Sequence, residues 1–266
     1  MQKLRSVGDY LTRQFTDITP LLELALQKNH AWLITHKDYV LNDEEKTALN
    51  ILIEQRESGT PFAYLSGTKG FYHLDFKVTP DTLIPRPETE LLIDIALDLF
   101  KNKSCNLLDL GTGSGIIAVT LADKNPQWKI TATDFSEDAL EVAKENATII
   151  ANEINFQQGS WFEAVPNQTF DFIISNPPYI EEGDAYLDDL THEPITALTA
   201  GKDGLDDIKI IINQTPTHLN KHGFLLLEHG YNQQKMIIEL LKQKFTHIKT
   251  FQDYNSNNRA VLAQLK

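Results

Sequence analysis

Leu107-Leu108-Asp109-Leu110-Gly111-Thr112-Gly113-Ser114-Gly115-Ile116 carries an apolar strand into a glycine-rich turn and on into a helical pattern. Glycines serve where a chain turns sharply and where a ligand approaches the backbone with no Cβ between. The spacing is not that of a dinucleotide site, because Ile116 stands where Gly-x-Gly-x-x-Gly needs its third glycine. No Gly-Lys-Ser/Thr follows to make a phosphate loop. Instead Asp109 lies two residues before the first glycine. A carboxylate there would repel a pyrophosphate and is suited to hold the ammonium of an amino-acid-like cofactor, directly or through water.

Outward from this turn, strands and helices alternate beyond residue 90. Strands are expected at Asn106–Leu110, Lys129–Asp134, Asn155–Gly159, Phe170–Asn176, Gly223–His229, His247–Gln252 and Ala260–Leu265, with a helix over Ser136–Ile150. That order predicts an α/β fold: a seven-stranded, mostly parallel, doubly wound sheet covered on both faces. The short polar link Asp253–Arg259 predicts an antiparallel strand at the sheet's end.

In such sheets the binding crevice lies at the carboxyl ends of the strands. Asp134 ends the second strand and is placed to take two ribose hydroxyls, unless it caps the next helix, a part that Ser136 fills equally well. Trp161 follows the third strand and is placed either to lie against an adenine or to pack in the core. The fourth strand delivers Asn176-Pro177-Pro178-Tyr179. The two prolines force an extended chain and remove two amide donors. The carbonyls of Asn176 and Pro177 and the Asn176 side-chain oxygen then converge as acceptors that match the two in-plane hydrogens of a planar –NH2 group. Tyr179 can cover the face of that group. Donating both hydrogens would aim the nitrogen at the methyl of a sulfonium, and alignment of this kind supplies about 7–11 kcal/mol of a barrier. The motif offers no His, Lys or Cys as a general base.

Residues 1–66 follow a helical period: Val7, Leu11 and Phe15, then Leu21, Leu22, Leu24 and Leu26, then Ala48, Leu49, Leu52 and Ile53. Asp17 and Asn42-Asp43-Glu44-Glu45 are expected to cap helices. Residues 67–90 read as a hairpin around Phe71, Leu74, Phe76 and Val78, then a stiff connector, Leu83-Ile84-Pro85-Arg86-Pro87. Residues 91–266 form the sheet domain. The 37 acidic and 24 basic residues give a net charge of −13, which does not suit unaided binding of duplex DNA. Met1-Gln2-Lys3-Leu4-Arg5 lacks the apolar core of a leader, and no stretch reaches the length of a membrane span, so a cytoplasmic protein is expected. The single cysteine, Cys105, reads as a buried thiol. His218 and His222 are expected on one helix face four residues apart, near a helix C-terminus, with no metal between them. The acidic run Glu181, Glu182, Asp184, Asp188 and Asp189 reads as a solvated segment or as a clamp on a basic partner.

The chain resembles the release-factor glutamine methyltransferases, the HemK/PrmC family, over nearly its whole length. The likeness rests on Leu83–Glu90, Glu193-Pro194 with Ala197-Leu198, Gly201-x-Asp203-Gly204-Leu205, Glu228-His229-Gly230 with Gln233, and Asp253 with Arg259, beside the motifs above. It implies the class I S-adenosylmethionine-dependent methyltransferase fold behind a small N-terminal helical bundle. It also implies cofactor contact by Gly111, Thr112, Gly113, Ser114, Gly115, Asp134, Trp161 and Asn176, and a substrate glutamine held by Asn176, Pro177, Pro178 and Tyr179. The implied reaction methylates the side-chain N5 of the glutamine in the Gly-Gly-Gln loop of bacterial class 1 peptide chain release factors, which the N-terminal bundle helps to dock. No direct nucleic-acid partner and no membrane are expected, and a monomer is. Ser160 departs from the acid of many relatives. The alternatives are an adenine-N6 nucleic-acid methyltransferase and a non-catalytic cofactor-binding scaffold, because Asn-Pro-Pro-Tyr alone is shared with enzymes that act on adenine.

Overall fold

In this computed structural model the described residues are 5–12, 15, 17–101, 103–150 and 153–266. Residues 1–4, read above for a leader, lie outside them. The chain divides into two compact units, residues 1–67 and 68–266.

The first unit is helical: α1 Val7–Leu11, α2 Ile18–Leu26, α3 His30–Thr35, α4 Asp43–Glu57 and α5 Phe62–Ser66. Its apolar period closes on a core that includes Leu21, Leu22, Leu33, Leu41 and Leu49, all essentially inaccessible. Asn42 caps α4 as expected, in a reciprocal box: Glu45 N donates to its Oδ1, and its own N–H donates to the Glu45 carboxylate. Asp17 does not cap α2. Its backbone is left-handed at φ 68°, which turns the carboxylate away from the helix to accept from Arg56 Nε at 2.8 Å.

The second unit opens with an antiparallel hairpin, β1 Thr68–Phe71 and β2 Leu74–Lys77. Phe71 and Phe76 meet edge to face, centroids 6.1 Å apart, inside the main core, so the hairpin packs as part of this unit. A 3-10 turn over Pro87–Thr89 leads into α6 Glu90–Leu99. Then follow β3 Asn106–Leu110, α7 Ile116–Lys124, β4 Lys129–Asp134, α8 Glu137–Ile150, β5 Ile154–Gln158, β6 Phe170–Ser175, α9 Asp206–Gln214, β7 Leu219–Glu228, α10 Gln234–Leu241, β8 Phe245–Gln252 and β9 Asn258–Leu265.

The sheet order is β5-β4-β3-β6-β7-β9-β8. Successive residues face opposite sides: Leu107, Phe172, Ile174 and Leu226 join one core, while Leu108, Ile173, Leu225 and Leu227 join the other. Burial on both faces is why these strands read as continuous apolar runs. The expected antiparallel strand is β9, but it lies one place inside the edge, between β7 and β8. The chain leaves β3 towards β5 on one side and returns to β6 on the other, so the crevice opens between the carboxyl ends of β3 and β6.

His218 and His222 share no helix face. Pro216 sits in a 3-10 turn over Thr215–Thr217 that stops α9, and His222 already lies within β7. The His218 ring stacks on Phe162, centroids 4.5 Å apart, and its Nδ1 bonds the Gln168 carbonyl at 3.1 Å. Cys105 is buried, and burial pushes its thiol up.

Candidate active site

The turn after β3 is held from its neighbour: the amides of Gly111 and Thr112 both donate to the Thr133 carbonyl on β4, each at 2.9 Å. Gly113 has φ 55°, and a Cβ built there meets nothing within 4 Å, so the turn's backbone faces open space. A Cβ on Gly115 would lie 3.1 Å from Ala143 of α8, which fixes how closely α7 and α8 approach.

Asp109 does not face that space. It is fully buried beneath the turn, where its Oδ2 accepts from Thr112 Oγ1 at 2.7 Å and from the Ala118 amide at 3.2 Å. Burial pushes its carboxyl up to about 7, and its Oδ1 has no hydrogen-bond partner. The residue read above as a ligand contact thus holds the turn and the first turn of α7 from below. Asn146 on α8 supports the turn from another side. Its Nδ2 donates to the carbonyls of Ser114 and Lys77, and its Oδ1 accepts from the Lys77 amide. No sequence signal singled it out.

Of the two candidates for capping α8, Ser136 does so: its Oγ accepts from the Ala139 amide at 3.2 Å. Asp134 accepts from the Gly113 amide at 2.9 Å and the Ser136 amide at 3.0 Å, and still lines the cavity. Burial raises its pKa. Trp161 lies across the turn, its ring 3.4 Å from where a Gly111 Cβ would be, and its Nε1 donates to Asp207 at 3.2 Å.

Ser175 Oγ at the end of β6 donates to the Leu110 carbonyl at 2.7 Å, fixing Asn176 beside the glycine turn. Asn176 Nδ2 donates to Thr89 Oγ1 at 3.1 Å, and Thr89 Oγ1 donates to Glu228 Oε2 at 2.8 Å. Tyr179 OH donates to the other oxygen of Glu228 at 3.1 Å. Burial pushes Glu228 up to about 7, against the lowering effects of Thr89, Arg259 and Tyr179. Burial likewise pushes the Tyr179 phenol up, so it stays a neutral donor. The Tyr179 carbonyl accepts from Gln233 Nε2 at 2.9 Å. Above the cleft, Glu193 bridges Arg86 Nη2 at 2.5 Å and the Ile84 amide at 2.9 Å, fastening the proline-rich connector to the segment around residue 195.

Two cavities meet here. One, of about 530 Å³, runs over the glycine turn past Asp134 and Trp161. The other, of about 470 Å³, is walled by Pro177, Tyr179, Glu228 and Tyr231. Asn176 and Pro178 line both. Volumes of this size suit small-molecule sites. The first cavity fits an amino-acid nucleoside, offering open glycine backbone, the Asp134 carboxylate and the Trp161 indole.

Thr89 and Glu228 enter the sequence reading only within the stretches that carry the family resemblance, with no role assigned. Glu228 gave a usable signal, an acid ending an apolar strand at the sheet's carboxyl edge, the same signal that marked Asp134. Among the described residues no group of three His, Cys, Asp or Glu could hold a metal, and no helix is long and apolar enough to cross a membrane.

A seven-stranded sheet of this order with a glycine turn, Asp134 and Asn-Pro-Pro-Tyr at its carboxyl edge defines the class: an S-adenosylmethionine-dependent methyltransferase. The Methyltransferase small domain family matches residues 88–201, and the PrmC N-terminal domain family matches residues 7–67. The chain belongs to the release factor glutamine methyltransferases. It is 44% identical over 254 residues to the release factor glutamine methyltransferase of Coxiella burnetii, spanning 91% of each chain. It is 39% identical over 252 residues to that of Escherichia coli, spanning 93% of this chain and 91% of the relative. Among solved structures, a methyltransferase from Pyrococcus furiosus shares the fold with a TM-score of 0.55 at 20% identity, over 82% of this chain and 98% of that one.

Proposed function

We propose that this protein methylates the side-chain N5 of the glutamine in the Gly-Gly-Gln loop of bacterial class 1 peptide chain release factors. The observation that carries the reading is the meeting of the two cavities at Asn176 and Pro178. Gly111 to Gly115, Asp134 and Trp161 hold S-adenosylmethionine, which when bound supplies an electrophilic methyl on a sulfonium sulfur. Asp109 contributes through the turn it supports.

The residues at the junction select and orient the acceptor. With Nδ2 committed to Thr89, the Asn176 side chain presents Oδ1 as an acceptor, and the Pro177 carbonyl is the second. Two acceptors fix both hydrogens of a planar amide and the direction in which its nitrogen points. Tyr179, neutral and tied to Glu228, covers the amide's face. An amide nitrogen is a weak nucleophile because its lone pair is shared with its carbonyl. Alignment and polarisation by the two acceptors do the activating, and the proton leaves late, to solvent.

The family of the relatives and the charge of −13 favour a protein acceptor over a polyanion. The N-terminal unit, matched by its own family, contributes docking surface. An acceptor belonging to bacterial translation places the enzyme in the cytoplasm, working as a monomer without direct contact to nucleic acid. The test is transfer of labelled methyl to a purified release factor, to the same factor with its Gly-Gly-Gln glutamine replaced, and to adenine-containing DNA. Label on the first alone is expected. Label on the DNA alone would overturn the substrate and leave the site standing.

A further inference from the structure

Thr89 lines the first cavity and Glu228 the second, 0% and 1% exposed. Their bonds form one directed chain. An ionised carboxylate only accepts, so the single hydroxyl hydrogen of Thr89 goes to Glu228 Oε2, at 2.8 Å. Thr89 Oγ1 is then left with lone pairs towards Asn176, and only the –NH2 end of that amide can meet them, at 3.1 Å. The opposite flip of Asn176 would set its oxygen against an oxygen with no hydrogen to give. The same carboxylate takes the Tyr179 hydrogen on its other oxygen at 3.1 Å.

We propose that Thr89 and Glu228 are positioning residues that lock the Asn176 amide with its oxygen facing the acceptor, presetting the site for a hydrogen-donating –NH2 group before substrate arrives. This rests on the reading of Asn176 as an acceptor for the substrate nitrogen. Both border the cavities, and their part in this scheme is indirect. Each acts through Asn176 or Tyr179.

Three variants of the full chain test it, with methyl transfer, cofactor affinity by calorimetry, and hydrogen exchange of the Asn176 side-chain amide by NMR as readouts. Thr89→Val keeps the shape and removes the hydroxyl. It should lower kcat about 10- to 100-fold, the scale of a misplaced reacting group, while the cofactor Kd changes less than about threefold. Thr89→Ser restores the hydroxyl and should restore kcat to within about threefold. Glu228→Gln no longer forces the direction of the chain and should fall between the two. The exchange measurement does not depend on which acceptor is methylated: slow exchange at Asn176 in the wild type and fast exchange in Thr89→Val is expected. Equal exchange in both proteins, an unchanged kcat in Thr89→Val, or failure of Thr89→Ser to rescue would each overturn the lock. A wild type that labels no release factor but shows the exchange contrast would overturn the substrate reading alone.

Discussion

Gly204 lies so close to Tyr179 that a Cβ built on it would stand 2.2 Å from the Tyr179 carbonyl oxygen and 2.7 Å from Gln233 Nε2. Its φ of 64° is also in the region that side chains avoid. The Gly201–Leu205 turn is therefore a mould for the loop that ends in Tyr179. Gly204→Ala should cost about 1–3 kcal/mol through overpacking and should displace the Tyr179 backbone. Thermal denaturation with transfer kinetics checks this: a lowered Tm with kcat below a tenth of wild type is expected, and an unshifted Tm would contradict it.

Asn176 lines both cavities, yet its proposed work is on the acceptor side. Asn176→Ala should cut kcat far more than it weakens cofactor binding. Comparable losses in kcat and in cofactor affinity would assign Asn176 chiefly to the cofactor.

Activity should rise with pH through about 7. Burial holds the Glu228 carboxyl near that value, with Thr89, Tyr179 and Arg259 favouring its charged form and the Glu88 carboxylate opposing it. Below 7, protonated Glu228 becomes a donor, and the Thr89 hydrogen is released towards Asn176 Oδ1, which undoes the presentation of that oxygen. The kcat profile should therefore show an acidic limb near 7 that Glu228→Gln flattens. A limb of the same position in Glu228→Gln would locate the titration elsewhere.

Asp109 gives the opposite trend for stability. Its folded pKa, about 7, lies above its ordinary 3.8, so the fold binds that proton more tightly than the unfolded chain does. Stability from this source is complete below about 4 and lost as pH rises through 7. Asp109→Asn cannot titrate. Calorimetry on ligand-free protein should show the variant gaining Tm relative to wild type between pH 5 and pH 8, and a constant difference would refute the assignment.

Much of this was legible in sequence because β3, β4 and β6 are buried on both faces and their apolar runs end where their ladders end. The misreadings have local physical causes. Pro216 stops α9 ahead of two histidines whose spacing looks helical, and a left-handed backbone at Asp17 turns a capping side chain into an ion-pair partner of Arg56. Asp109 was placed at the right turn but on the wrong side of it, because spacing along a strand does not say what lies beneath the loop that follows. The bond from Thr89 to Glu228 spans 139 residues, so only packing reveals that the two meet.

The reversed strand β9 has a consequence for how the crevice comes into being. Running against its neighbours, it brings its first residues, including Arg259, to the carboxyl edge of the sheet, where Arg259 Nη1 lies 3.4 Å from Tyr179 OH. Arg259 is tied to Asp253, only six positions away, through the tight β8–β9 hairpin. Hairpins of that span close in about 1–10 μs. Thr89 must find Glu228 across 139 positions, a loop closure of higher entropic cost. The Arg259–Asp253 pair is thus a product of local chain dynamics and the Thr89–Glu228 pair of global collapse, and an acceptor-competent molecule exists only after the slower of the two.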